Sequence, residues 1–133
     1  MIIALLACTS TPDDSVPATS PCEEEARASA LVVGDTFQGD TLTVEILELS
    51  PDPVIVGENT WALGLDASGC QAALASWMPD HQHGSTVGEL TVTADQVQVS
   101  DLFLSMGGYW ELTLTLTCAE VTEDVLIPVC VEP

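Results

Sequence analysis

The sequence predicts an all-β protein, an immunoglobulin-like Greek-key β-sandwich of seven or eight strands. From Thr41 onward, apolar residues recur at alternate positions, and turn formers break that pattern every dozen or so residues. No segment holds a helical period. Hydrophobic residues make up 47% of the chain and the mean hydropathy is +0.34, enough to furnish a core. A length of 133 residues suits one domain with a tail.

The chain opens Met1-Ile2-Ile3-Ala4-Leu5-Leu6-Ala7-Cys8, an apolar run ending in a small residue and a cysteine. It resembles the lipobox of bacterial lipoproteins, in which Cys8 would be acylated and become the mature N-terminus. The run is short and has no basic residue ahead of it, so residues 1–8 read as a truncated lipoprotein signal. Residues 9–30 read as an acidic, Pro/Ser/Thr-rich tether, poorest in core-forming side chains up to about Pro21. A brief helical turn is expected at Glu23 to Ala28. The sandwich domain is expected at residues 31–133. No other run approaches the ~20 apolar residues of a membrane span. The expected location is the bacterial cell envelope, on the periplasmic or extracellular face, with a lipid anchor as the only membrane contact.

Setting Cys8 aside leaves Cys22, Cys70, Cys118 and Cys130, an even number that fits two disulfides in an exported protein. Cys118 and Cys130 bracket an expected hairpin, so the favoured pairing is Cys118 with Cys130 and, by remainder, Cys22 with Cys70. Zinc is the alternative for these thiols, but no CxxC pair is present.

Leu31-Val32-Val33 suggests a short edge strand. Thr41 to Leu49 is a strand in which Leu42, Val44 and Ile46 share a face while Leu47 and Leu49 take the other, implying a bulge or burial on both sides. Ser50-Pro51-Asp52-Pro53 turns into a strand from Glu58 to Leu65. Asp66-Ala67-Ser68-Gly69 is then read as a hairpin turn into Cys70 to Trp77. Strands follow at Glu89 to Thr93 and at Gln96 to Leu104. Trp110 to Cys118 is the cleanest, alternating Leu112, Leu114 and Leu116 with Thr113, Thr115 and Thr117. The last strand, Val125 to Val131, contains Pro128, which indicates a bulge or an edge position.

One cationic side chain against 21 carboxylates gives a formal charge of -20. Such a surface repels phosphate backbones, which argues against nucleic-acid binding. With one Arg and no Lys, an oxyanion or phosphate clamp is nearly excluded. GxSxG, P-loop, GxGxxG and HExxH signatures are missing, and no cysteine has the basic neighbours that would activate it. The chain is therefore not expected to be an enzyme.

The segment Trp77-Met78-Pro79-Asp80-His81-Gln82-His83-Gly84 holds both histidines of the protein. Pro79 biases Met78 toward an extended conformation, and two histidines two apart on an extended backbone project to one side. Imidazole accepts zinc, nickel and copper alike, whereas thioether sulfur favours Cu(I). Met78 stands beside the histidines. Met106 lies in a glycine turn, Leu104 to Trp110, that enters the cleanest strand and could meet them at one end of a sandwich. The expected metal ligands are thus His81, His83, Met78 and Met106. Asp80 reads first as a turn former and otherwise as a ligand or an acceptor that fixes a histidine tautomer. The methionines also read as core fillers, and Trp61, Trp77 and Trp110 as core, with Trp77 placed to shield a soft ion.

Met78-Pro79-Asp80-His81-Gln82-His83-Gly84, followed by Leu104-Ser105-Met106-Gly107-Gly108-Tyr109-Trp110-Glu111-Leu112, resembles the pattern of YtkA-like domains and the related FixH-like proteins. The resemblance covers about Thr41 to Thr117. It implies an exported or anchored immunoglobulin-like sandwich connected with copper handling in oxidase assembly, and a copper-receiving envelope partner. The extra glycine of the Met106 turn and the four distal cysteines depart from that pattern. The alternative function is an interaction module without a metal. A calcium-stabilised adhesion domain is a weaker third reading, since no acidic calcium loop is present.

Overall fold

A computed structural model describes residues 20–133. The lipobox with Cys8, the rest of the expected signal and the tether as far as residue 19 lie outside the described residues. The described residues form a short helix, α1 (Pro21–Glu24), and nine strands. These are β1 (Thr36–Gln38), β2 (Thr43–Ser50), β3 (Gly57–Gly64), β4 (Cys70–Met78), β5 (His83–Gly84), β6 (Leu90–Val92), β7 (Gln96–Leu104), β8 (Gly108–Cys118) and β9 (Val121–Val131).

Two antiparallel sheets face each other, ordered β1-β2-β3-β7-β6 and β5-β4-β8-β9. The order β2-β3-β7-β6 against β4-β8-β9 is that of the immunoglobulin sandwich. Period-two patterning builds the core between them. Val44, Ile46, Trp61, Leu63, Val97 and Val99 of the first sheet meet Leu112, Leu114, Leu116, Val125, Ile127 and Val129 of the second, all of them buried. In β8 the leucines enter the core and the threonines face outward, as the alternation predicts.

The phase change in β2 is a bulge. The register with β3 shifts between Ile46 and Glu48, which returns Leu49 to the core and leaves Leu47 exposed. Pro128 occupies an edge strand with no register break. Cys130 N donates to Ser29 O, away from β8, so Pro128, two residues earlier, places its missing N–H on that same outer side.

Several expectations are corrected. Residues 31–33 are not a strand: Asp35 N donates to Val32 O at 3.0 Å and Val32 N donates to the Asp35 carboxylate at 2.9 Å, closing a turn before β1. Residues 65–69 are not a hairpin turn but a crossover between sheets. Leu65 N and Ala67 N donate to Asp95 O and Ala94 O, and both side chains are buried. The helical turn sits earlier than expected, because Ser20 caps it and Pro21 starts it. The described part of the expected tether, residues 20–30, is fastened to the sandwich by a disulfide, a backbone hydrogen bond and an ion-pair cluster.

The four cysteines form disulfides, but as Cys22–Cys130 and Cys70–Cys118. Cys118 and Cys130 do not pair, because the β8–β9 hairpin places Cys118 opposite Val121 and Cys130 opposite Tyr109. Nine residues of strand separate those positions, roughly 30 Å, against the ~7 Å limit for a disulfide. Cys70 instead stands directly across from Cys118 on neighbouring strands, with Cα atoms 4.2 Å apart.

Candidate metal centre

The site is built at the end of the second sheet where β4 turns into β5 and β8 begins. Pro79 to Gln82 form the turn: Met78 O accepts from His81 N at 3.2 Å and from Gln82 N at 2.8 Å, and Gln82 reverses the chain at φ 54°. The backbone through His81 to His83 is therefore not the extended segment expected. The rings still approach, with centroids 6.0 Å apart. A shared ion at ordinary imidazole distance holds two ring centroids roughly 5–6 Å apart.

The turn returns the chain so that His83 pairs directly with Met78 across β4 and β5. Direct partners share a face, and Met78 points inward, only 1% exposed. From the other side comes the Met106 turn. Gly108 adopts φ +122°, and a Cβ there would stand 2.9 Å from the Met78 methyl carbon. A Cβ on Gly107 would stand 2.8 Å from the Pro133 backbone. Two consecutive glycines let this turn close over Met78 while the C-terminus passes beside it.

His83 and Met106 meet there, with Nε2 3.3 Å from Sδ. On the other side of the ring, His83 Nδ1 lies 3.1 Å from Gly84 O. A carbonyl oxygen accepts only, so Gly84 O is served by the tautomer with its proton on Nδ1, and in that tautomer Nε2 turns its lone pair toward the thioether. Imidazole nitrogen and sulfur bound to one ion at ~2.0 and ~2.3 Å with a near-tetrahedral angle stand roughly 3.5 Å apart. The Nδ1 contact also fixes the ring in the way that carbonyl acceptors orient metal-bound histidines.

Trp110 completes the wall. Its buried indole meets the His83 ring edge-on at 5.7 Å, and its Nε1 donates to Met106 O at 2.9 Å, pinning the methionine turn. Trp61 and Trp110 are core residues as expected. Trp77 is not: alternation along β4 sends it to the outer face, 46% exposed, so it cannot shield an ion bound by the inward-facing Met78 and His83.

Asp80 is gripped by Arg27. Nη1 donates to Oδ1 at 3.0 Å and Nη2 to Oδ2 at 2.6 Å, while Glu25 takes the remaining edge of the guanidinium through Nε at 2.7 Å. The guanidinium lies 4.0 Å from the centroid of the Tyr109 ring. Its hydrogen bonds hold the carboxyls of Asp80 and Glu25 below their ordinary values, and the arginine is held above its own. Desolvation, with Glu111 nearby, raises the Tyr109 phenol. The role of Arg27 was not visible in the sequence. The signal was its uniqueness, one cation among 21 carboxylates.

No group of three His, Cys, Asp or Glu side chains suited to a metal occurs among the described residues, so His81 and His83 have no third ligand of those types beside them. A cleft of about 250 Å³ between residues 28–31, β1 and Pro128 lies apart from the histidines. No family model, curated protein or solved structure matches the chain.

Proposed function

We propose that this domain binds a single copper ion, as a metallochaperone or store, through His83 and Met106 with His81 and Met78 completing the set. The contact of His83 Nε2 with Met106 Sδ at 3.3 Å carries this reading: in the neutral tautomer that donates Nδ1–H to Gly84 O, neither of these two atoms has a proton for the other. His81 is exposed on the turn and closes over the ion by side-chain rotation. Met78 supplies sulfur from the buried side. Two thioethers beside two imidazoles favour Cu(I), and an envelope compartment, where thiols are consumed in disulfides, makes this a sensible ligand choice. The role is binding without turnover, and copper passes to a receiving protein of the envelope reached from a lipid anchor at Cys8. The resemblance to YtkA-like and FixH-like domains supports the same reading.

The test is a Cu(I) competition titration on residues 20–133, which contain all strand pairings and both disulfides. One equivalent is expected for the parent chain, and none in the variant carrying His81→Ala with His83→Ala. Unchanged stoichiometry in that double variant would sink the assignment and leave the interaction module as the reading.

A further inference from the structure

We infer that the outer edge of β4 at Ala72 to Leu74 is a homodimerisation edge, at which a second copy of this chain adds its own β4 antiparallel across a two-fold axis at Ala73. The inference is independent of the metal reading.

On one side β4 pairs with β8 from Cys70 to Trp77; on the other, β5 covers only Trp77 and Met78. The 4.2 Å separation of the Cys70 and Cys118 Cα atoms is that of a non-hydrogen-bonded pair. Counting by twos, Cys70, Ala72, Leu74 and Ser76 turn their N–H and C=O groups away from β8. Cys70 N is taken by Ala67 O, and the Ser76 hydroxyl accepts from Ser85 N and donates to Ser85 O. The N–H and C=O groups of Ala72 and Leu74 have no partner on that side among the described residues. Antiparallel addition of a second β4 sets Ala72 against Leu74 of the other copy, and Leu74 against its Ala72. This satisfies all these groups in one isologous contact and joins two four-stranded sheets into one.

The remaining edges of the sandwich carry the usual protections. β9 has Pro128, and Ser29 O receives its Cys130 N–H; β1 and β6 are three residues each, with Glu89 and Asp95 close to β6. Gln71-Ala72-Ala73-Leu74-Ala75 has no charge, proline or bulge, and the three alanines leave room for a second backbone. The absence of charge also selects the occupant. A basic partner would be recognised through carboxylates, which are abundant elsewhere on a chain of formal charge -20. A strip without them, continued outward by Thr113, Thr115 and Thr117 on β8, is where two equally acidic copies approach with least repulsion. The axis lies about five residues, ~17 Å, from Met78, so the dimer leaves both histidine turns uncovered.

Sedimentation and light scattering on residues 20–133 test this. A dimer is expected that tightens as NaCl rises from about 0.05 to 0.5 M, because screening weakens repulsion between like-charged copies. The amides of Ala72 and Leu74 should gain hydrogen-exchange protection on the same concentration scale. Ala73→Glu, an exposed position, should weaken association at least ~tenfold by placing like charges opposite each other. Ala72→Pro should abolish it by removing an outward N–H that β8 does not use. If the proline variant fails to fold, Ala73→Glu alone carries the test. A monomer at ~1 mM protein in high salt, a dimer that salt dissolves, or one that Ala73→Glu leaves intact would overturn the inference.

Discussion

Arg27 and Asp80, 53 positions apart in sequence, form a two-pronged ion pair that ties the segment after α1 to the turn carrying His81. Asp80 and Glu25 titrate below their ordinary values, so the stabilisation they share is present at neutral pH and disappears as pH falls below about 4 through their folded-state values. Arg27 is raised, so its part is lost only in strong alkali. Arg27→Gln is therefore expected to narrow the difference between neutral and acid stability. The narrowing comes from a loss at pH 7, kept small because Arg27 and Asp80 are about half exposed, with stability at pH 3 unchanged. Denaturant melts at pH 7 and pH 3 check this. A variant whose acid sensitivity equals that of the parent chain would remove the clamp from the account.

The disulfides make a second expectation. Digestion of the oxidised protein should release Cys22 linked to Cys130 and Cys70 linked to Cys118, read by mass spectrometry. Cys118 linked to Cys130 would contradict the hairpin register. Replacing Cys22 and Cys130 with serine opens a 108-residue separation and should cost up to about 5 kcal/mol. Opening the 48-residue separation of the other pair should cost up to about 4 kcal/mol. The first change also releases residues 20–30, so Tyr109 should become more accessible in that variant only.

Gly108→Ala should destabilise the fold by about 1–3 kcal/mol, combining a side chain at φ +122° with a 2.9 Å approach to the Met78 methyl carbon. Guanidinium unfolding monitored by tryptophan fluorescence reads this directly. Gly69→Ala is the control: its φ is +69° but nothing lies within 4 Å of the added carbon, so it should carry the conformational penalty alone.

What could be read in the sequence follows from locality. Leu112, Leu114 and Leu116 alternate with threonines, so the faces of β8 were legible; the phase jump between Ile46 and Leu49 announced its bulge. Bracketing a turn is not the same as facing across it: the two-residue turn at Ala119 and Glu120 sends Cys130 to the far end of β9, out of reach of Cys118. The histidine turn and the Met106 turn were legible as separate halves. Their meeting depends on β4 lying beside β8, a long-range pairing that no local pattern encodes. Arg27 shows the same limit, since a single charge gives no period to follow.

Met106→Leu and Met78→Leu separate the two thioethers of the proposed centre. Leucine and methionine are close in volume, so each exchange should cost under ~1.5 kcal/mol and leave the sandwich intact. Met106 Sδ faces His83 Nε2 directly, and its loss should lower Cu(I) affinity at least ~tenfold, comparable to or larger than losses from changes around bound metals. Met78 is reached only from the buried side, so its exchange should lower affinity less than that of Met106. Trp110→Phe keeps the wall but removes the hydrogen bond to Met106 O, and should raise the off-rate of the ion while leaving the stoichiometry at one. A Cu(I) titration in which Met106→Leu matches the parent chain would mean that the 3.3 Å contact is packing alone.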